Sequence, residues 1–221
     1  MVSLDAVIQL EVALVRSRVL SKLLTRAISV TAAILLLNVV SAAQVIYFPN
    51  KALASNARSD RFIAGWYSRQ LQALEEPSLL ELAKVPTSQS YRFLWLRTFH
   101  HPVAIRLDVK ADGTAVLTKK IANGAGGFGP GILTENTSRP LTAEQRQAFL
   151  AKIEQVRFWT LPAYIHDQSG TDGSEWIIEG TKGGKYHVVS RWSPEKGPVH
   201  ELGLALAIEL AGMTVPKDEL Y

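Results

Sequence analysis

Residues 27–48, AISVTAAILLLNVVSAAQVIYF, carry no charged side chain in a protein that is otherwise 20% charged. As a helix rising about 1.5 Å per residue, this run spans roughly 33 Å, enough to cross the hydrocarbon layer of a bilayer. Three readings compete. As a signal peptide it has a basic approach in Arg16, Arg18, Lys22 and Arg26, an apolar centre over 28–40, and Ser41-Ala42-Ala43 before Gln44, placing cleavage after Ala43. As an uncleaved transmembrane anchor it continues through Val45 and Ile46, with Tyr47 and Phe48 where aromatic rings favour the membrane interface. A buried core helix is the weakest of the three, because the run is long and without a polar face. The anchor is narrowly preferred, since the apolar run outlasts the cleavage site.

Either leading reading makes the lipid bilayer a partner of residues 27–48. Lys and Arg stay on the cytoplasmic side, so the four basic residues between Arg16 and Arg26 send the chain after Pro49 outward. In a bacterium this predicts an inner-membrane protein with a periplasmic C-terminal domain, or a periplasmic one if cleaved after Ala43. Residues 1–26 then form a cytoplasmic basic segment. Leu4, Val7, Ile8, Val12, Val15, Val19 and Leu23 recur there with a helical period. A translation start near Val15 or Val19 is the competing reading, and it would leave an ordinary short basic region before the apolar run.

The chain has no cysteine, which excludes disulfides, cysteine-based zinc sites and a lipid-modified cysteine. The net charge of +4 owes part of its excess to the N-terminal segment. Beyond Pro49 the basic residues are scattered among acids with no basic stripe, so no nucleic-acid partner is expected.

Residues 49–90 read as a helical connector. Phe62, Ile63, Trp66, Leu71 and Leu74 share one face of a helix over about 60–75, and Pro77 and Pro86 bound a shorter one. Docking of these helices on the following domain is preferred to a free spacer, because Trp66 and its neighbours call for burial. From Tyr91 the period becomes two. Residues 91–97 are apolar on both faces, as in a covered central strand. Val103, Ile105, Leu107 and Val109 alternate with polar residues, Asp112-Gly113 turns the chain, and 114–122 returns antiparallel. Thr142-Ala143-Glu144-Gln145 is a capping box opening a helix. Residues 174–180 pair with 185–192 across a glycine turn, and Pro198 and Gly212 bracket a last helix. Residues 91–221 therefore predict an extracytoplasmic α+β domain. Its antiparallel sheet is built from two hairpins plus an extra strand and packed on one face by two helices.

Few residues propose chemistry. Gly124, Gly126 and Gly129 match G-x-G-x-x-G, but Pro130-Gly131 stands where a helix should run and no parallel βαβ unit precedes it. The stretch reads instead as a mobile hairpin loop, and no cofactor is expected. Five histidines and the acids Asp167, Asp172, Glu175, Glu195 and Glu201 could supply a metal or an acid-base pair. No spacing organises them, so no metal is expected. The Lys217-Asp218-Glu219-Leu220 tetrapeptide is not an ER-retention signal, because Tyr221 follows it. Arginine beside aromatic residues recurs at Trp95/Arg97, Arg157/Trp159 and Arg191/Trp192, a pattern that suits recognition of an anionic ligand and equally a cover over a core edge. Trp95, Arg97, Arg191 and Trp192 are the candidate ligand-binding residues. The leading expectation is a non-catalytic binding or interaction domain for a protein or a small anionic ligand. The competing one is an enzyme, such as a hydrolase, using the loop from His166 to Asp172.

Overall fold

The computed structural model of the protein describes residues 45–165 and 170–221. Residues 27–44 of the apolar run lie outside the described residues, as do His166 and Asp167 of the loop considered for catalysis. Among the described residues no helix is long and apolar enough to cross a membrane.

The fold is α+β, on a six-stranded antiparallel sheet ordered β4-β3-β2-β1-β5-β6. The strands are β1 (Gln89–Arg97), β2 (Val103–Val109), β3 (Ala115–Ala122), β4 (Leu133–Leu141), β5 (Ser174–Lys182) and β6 (Lys185–Trp192). β1 is central, paired with β2 on one side and β5 on the other. Burial on both faces is what its apolar run from Phe93 to Leu96 requires, with Arg92 buried beside it. Gly183 and Gly184, at φ 58° and 80°, make the two-residue turn between β5 and β6. Two successive positive φ values give a twist that suits a tight hairpin, and glycine reaches them without steric cost.

One face of the sheet carries α3 (Ala143–Gln155) and the C-terminal helix α4 (Pro198–Leu204), which continues as a π-helical segment, Ala205–Leu210. Thr142 and Gln145 complete the capping box that starts α3. This layer buries Tyr91, Phe93, Trp95, Trp176 and Ile178 against Phe149, Ile153, Leu202 and Leu206.

The opposite face is not open. α1 (Ala57–Ala73) lies across it, and Tyr67, Leu71 and Leu74 join Leu94, Leu96, Ile177 and Val188 in a second core. Helix α1 starts where Asn56 accepts from the Ser59 amide. Asp60, in the first turn, accepts from the amides of Lys51 and Leu53 and ties the approaching chain down. A short helix, α2 (Leu79–Leu82), follows. Helix α1 and the residues before it thus pack on the sheet, within one compact unit that runs from Val45 to Tyr221. Tyr47 and Phe48 are also buried in this second core, and the Tyr47 hydroxyl donates to the Glu76 carbonyl.

Two further corrections concern periodicity. Phe62, expected on the buried face of α1, is exposed, while Gln70 is buried. β4 is a strand that alternation does not reveal. LTENTSRPL pairs with β3 over its whole length, but as an edge strand it leaves both faces largely in water, so no apolar side is needed.

Candidate functional site

The feature that the packing leaves unfilled is a cleft between α1 and the sheet end where β1 and β6 finish and β5 begins. Residues three and four apart on a helix share a face, and Arg58, Ser59, Phe62, Ile63 and Trp66 of α1 form one wall. Thr98, Glu175 and Trp192 form the floor, and Gly127, Phe128, Gly170 and Thr171 close the sides around about 640 Å³. A smaller cavity of about 220 Å³ adjoins it, bordered by Leu53, Tyr67, Tyr164 and Ser190, and the two share Ser59, Ile63, Glu175 and Trp192.

The glycine-rich loop is built into this site. The Gly126 amide donates to the His100 carbonyl (2.9 Å) and the Gly127 amide to the Thr98 carbonyl (3.1 Å). Trp66 Nε1 and Gln70 Nε2 both donate to the Gly126 carbonyl at 3.2 Å, and Gln70 also reaches the Phe128 carbonyl. A Cβ at position 126 would stand 2.7 Å from the backbone of Leu96 and Arg97, so only glycine allows this approach. The loop is pinned between helix and sheet rather than hanging free. It presents Phe128 outward beside Phe99, with ring centroids 6.2 Å apart. Phe62, Phe99 and Phe128 are 71%, 61% and 63% exposed.

Glu175 is the acid of the cleft. Its Oε2 accepts from Ser190 Oγ at 3.0 Å, and the Tyr67 hydroxyl lies 3.1 Å from the same Oγ. The Tyr67 and Ser190 hydroxyls and the Glu175 carboxylate thus form one hydrogen-bonded cluster. Burial raises the pKa of Glu175, opposed in part by the hydrogen bonds from Tyr67 and Ser190. Burial likewise pushes the Tyr67 phenol well above its usual value.

The four residues predicted from arginine-aromatic pairing do not converge. Trp95 and Arg97 share the α3/α4 face, with the Arg97 guanidinium 4.4 Å above the Trp95 ring and 3.2 Å from Glu219. Trp95 is covered further by the C-terminal residues, its Nε1 donating to the Tyr221 carbonyl. The cross-strand row Trp95, Trp176, Arg191 puts Arg191 on that same face, where its guanidinium donates to the carbonyls of Pro162, Ala163 and Ser190. Arg191 also borders a separate cavity of about 470 Å³ with Ser193, Glu195 and Lys196. Trp192, one residue on, points to the opposite face and is the only one of the four that lines the larger cleft.

Of the loop considered for catalysis, Asp172 is described and is exposed. None of the four described histidines lines either part of the cleft. His187 meets the Leu161 carbonyl, His101 the Gly124 carbonyl, His100 the side chains of Glu219 and Tyr221, and His200 stacks on Trp176. Among the described residues no three His, Asp or Glu side chains are grouped to hold a metal ion. Sequence reasoning did include Glu175 among its acids, but Phe62, Trp66 and Phe128 carry no signal that separates a cleft wall from a core. Comparison with protein-family models and with curated proteins returns no match.

Proposed function

We propose that this domain is a non-catalytic extracytoplasmic binding module, joined to or released from a bacterial inner membrane by the apolar run before it, and that the cleft beneath α1 is its binding site. The membrane placement rests on the apolar run and the basic residues preceding it. The observation that carries the binding role is the apolar wall of Phe62, Ile63, Trp66, Phe128 and Trp192 around about 640 Å³. That volume lies within the range of small-molecule sites, and aromatic walls with a few convergent polar groups are their usual lining. Exposed phenylalanines gathered at one opening are costly to leave in water, which argues for an occupant.

Calorimetric titration of the full chain, in zwitterionic lipid nanodiscs with empty discs as blank, tests the reading with neutral 3-phenylpropan-1-ol. Saturable one-to-one binding is expected, weakened at least about tenfold by Phe62→Ser. Because Phe62 is exposed, its replacement should change stability by no more than about 0.5 kcal/mol. Titration without saturation, or equal affinity in the variant, would overturn the assignment.

A further inference from the structure

Four acids, Glu76, Asp108, Glu175 and Glu179, lie on the α1 face of the sheet, and all but Glu175 meet a basic side chain, Asp108 through Arg106. Glu179 is held by Arg92 through bonds of 2.8 and 2.5 Å. Glu76 meets Arg92, Arg106 and Lys120 at 3.3, 3.0 and 3.3 Å. Glu175 has two hydroxyl groups as partners and forms no ion pair with a basic side chain among the described residues. Arg58 stands exposed among the cleft-lining residues. Arg191 borders the smaller adjoining cavity, but its register places it on the other face of β6 and its guanidinium donates to main-chain carbonyls. A partly buried carboxylate without a counter-charge is an expensive feature unless something brings the charge to it.

The rest of the lining suits a cation. Glu175 pairs directly with Trp192 across the β5–β6 ladder, which puts indole and carboxylate side by side on one face. Trp66, Phe62 and Phe128 complete the aromatic surround. The negative faces of aromatic rings attract organic ammonium groups, and a carboxylate at the base of such a surround supplies the opposite charge. A carboxylate ligand seated there would meet the like charge of Glu175, and the one basic residue among those lining the larger cleft is Arg58, exposed on α1.

We infer that the ligand of this cleft is an organic ammonium compound, its cationic head seated at Glu175 beside Trp192 and its apolar body against Phe62, Ile63, Trp66 and Phe128. The inference rests on the cleft being a binding site and adds the charge of the occupant. This reverses the anionic ligand suggested by the arginine-aromatic pairs, which the fold spends on its own C-terminal residues and main-chain carbonyls.

The test uses three probes of nearly equal shape on the full chain in zwitterionic nanodiscs: 3-phenylpropylamine, 3-phenylpropan-1-ol and 3-phenylpropanoate. At pH 7.5 the amine should bind at least about tenfold more tightly than the alcohol, with the carboxylate weakest. In Glu175→Gln, which keeps the shape and can still accept from Ser190, the preference for amine over alcohol should fall below about threefold.

A second measurement needs no variant. In the wild-type chain the preference should diminish as pH falls and Glu175 protonates; the other charged or titratable groups bordering the cavities it faces are Arg58, Tyr67, Tyr164 and Arg191. If none of the probes saturates, the cleft is not a binding site and both readings fall together. If the alcohol binds as well as the amine, if the carboxylate binds best, or if the preference survives in Glu175→Gln and at low pH, the cleft stands and the ammonium assignment falls.

Discussion

Glu175 and Glu179 stand on the same face of the same strand with only Ile177 between them on that face, and they live in opposite electrostatic worlds. Glu179 is fully buried and gripped by Arg92, which also reaches Glu76 and the Pro77 carbonyl. Burial works against the Arg92 charge, but Glu179 and Glu76 more than offset it and hold the guanidinium ionised. Burial raises the pKa of both acids, but Glu175 has hydroxyl neighbours and a cavity in front of it where Glu179 has Arg92. The saturated region fastens the chain after α1 to the sheet and has nothing left to offer a partner. The unsaturated region has a charge to spare beside an apolar wall, and that is where binding is proposed.

Breaking the saturated side should have the largest effect. Arg92→Leu strands Glu179 in the interior and takes one of three cations from Glu76, and a loss of about 3–5 kcal/mol is expected in urea unfolding of the full chain. A loss below about 1 kcal/mol would mean the cluster contributes no more than its own desolvation cost. Gly126→Ala disturbs the cleft and leaves both acids in place. The added methyl meets the backbone of Leu96 and Arg97, so a loss of about 1–3 kcal/mol should accompany weaker binding of 3-phenylpropan-1-ol. Unchanged binding in this variant would show that the loop does not shape the site.

The smallest effect is the sharpest comparison. Glu175 has a folded-state pKa above its unfolded value, so its contribution to stability is complete below the unfolded pKa and is lost as pH rises through the folded one. Glu76 runs the other way. Burial opposes its charge, but Arg92, Arg106 and Lys120 together lower its pKa. Its contribution is present above the unfolded pKa and is lost as pH falls through the folded one. In unfolding experiments from pH 4 to 7, Glu175→Gln should gain on the wild type as pH rises, by less than about 1 kcal/mol. Over the same range Glu76→Gln should fall further behind. Parallel pH trends in the two variants would erase the distinction drawn between the two regions.

Local rules carried much of the fold. The β2–β3 and β5–β6 hairpins, the capping box at Thr142 and the Pro198 start of the last helix were legible because each depends on a few neighbouring residues. β1 was legible as a central strand because it is apolar on both faces. β4 was not, since an exposed edge strand needs no apolar side. The buried stripe of α1 was read correctly at Leu71 and Leu74 and wrongly at Phe62. Periodicity cannot distinguish Leu71, which fills a core, from Phe62, which borders an empty space. The cleft draws on residues 58–66, 98, 127–128, 170–171, 175 and 192, a set joined by sheet register and loop docking, neither of which is written in local spacing. The arginine-aromatic pairs show the reverse error, for adjacent strand residues such as Arg191 and Trp192 face opposite sides of the sheet.

The burial of Tyr47 and Phe48 has a mechanical consequence. The Ile46 carbonyl accepts from Ser78, the Tyr47 hydroxyl donates to the Glu76 carbonyl, and the Tyr47 carbonyl accepts from Tyr186 on β6. A pull applied at residue 45 therefore enters the domain through three hydrogen bonds and two aromatic wedges near the β5–β6 turn. Glu175 and Trp192 lie at the other end of those strands. Tension on the chain would be carried into the sheet there and, through the Phe48–Tyr67 ring contact, toward the hydroxyl groups beside Glu175.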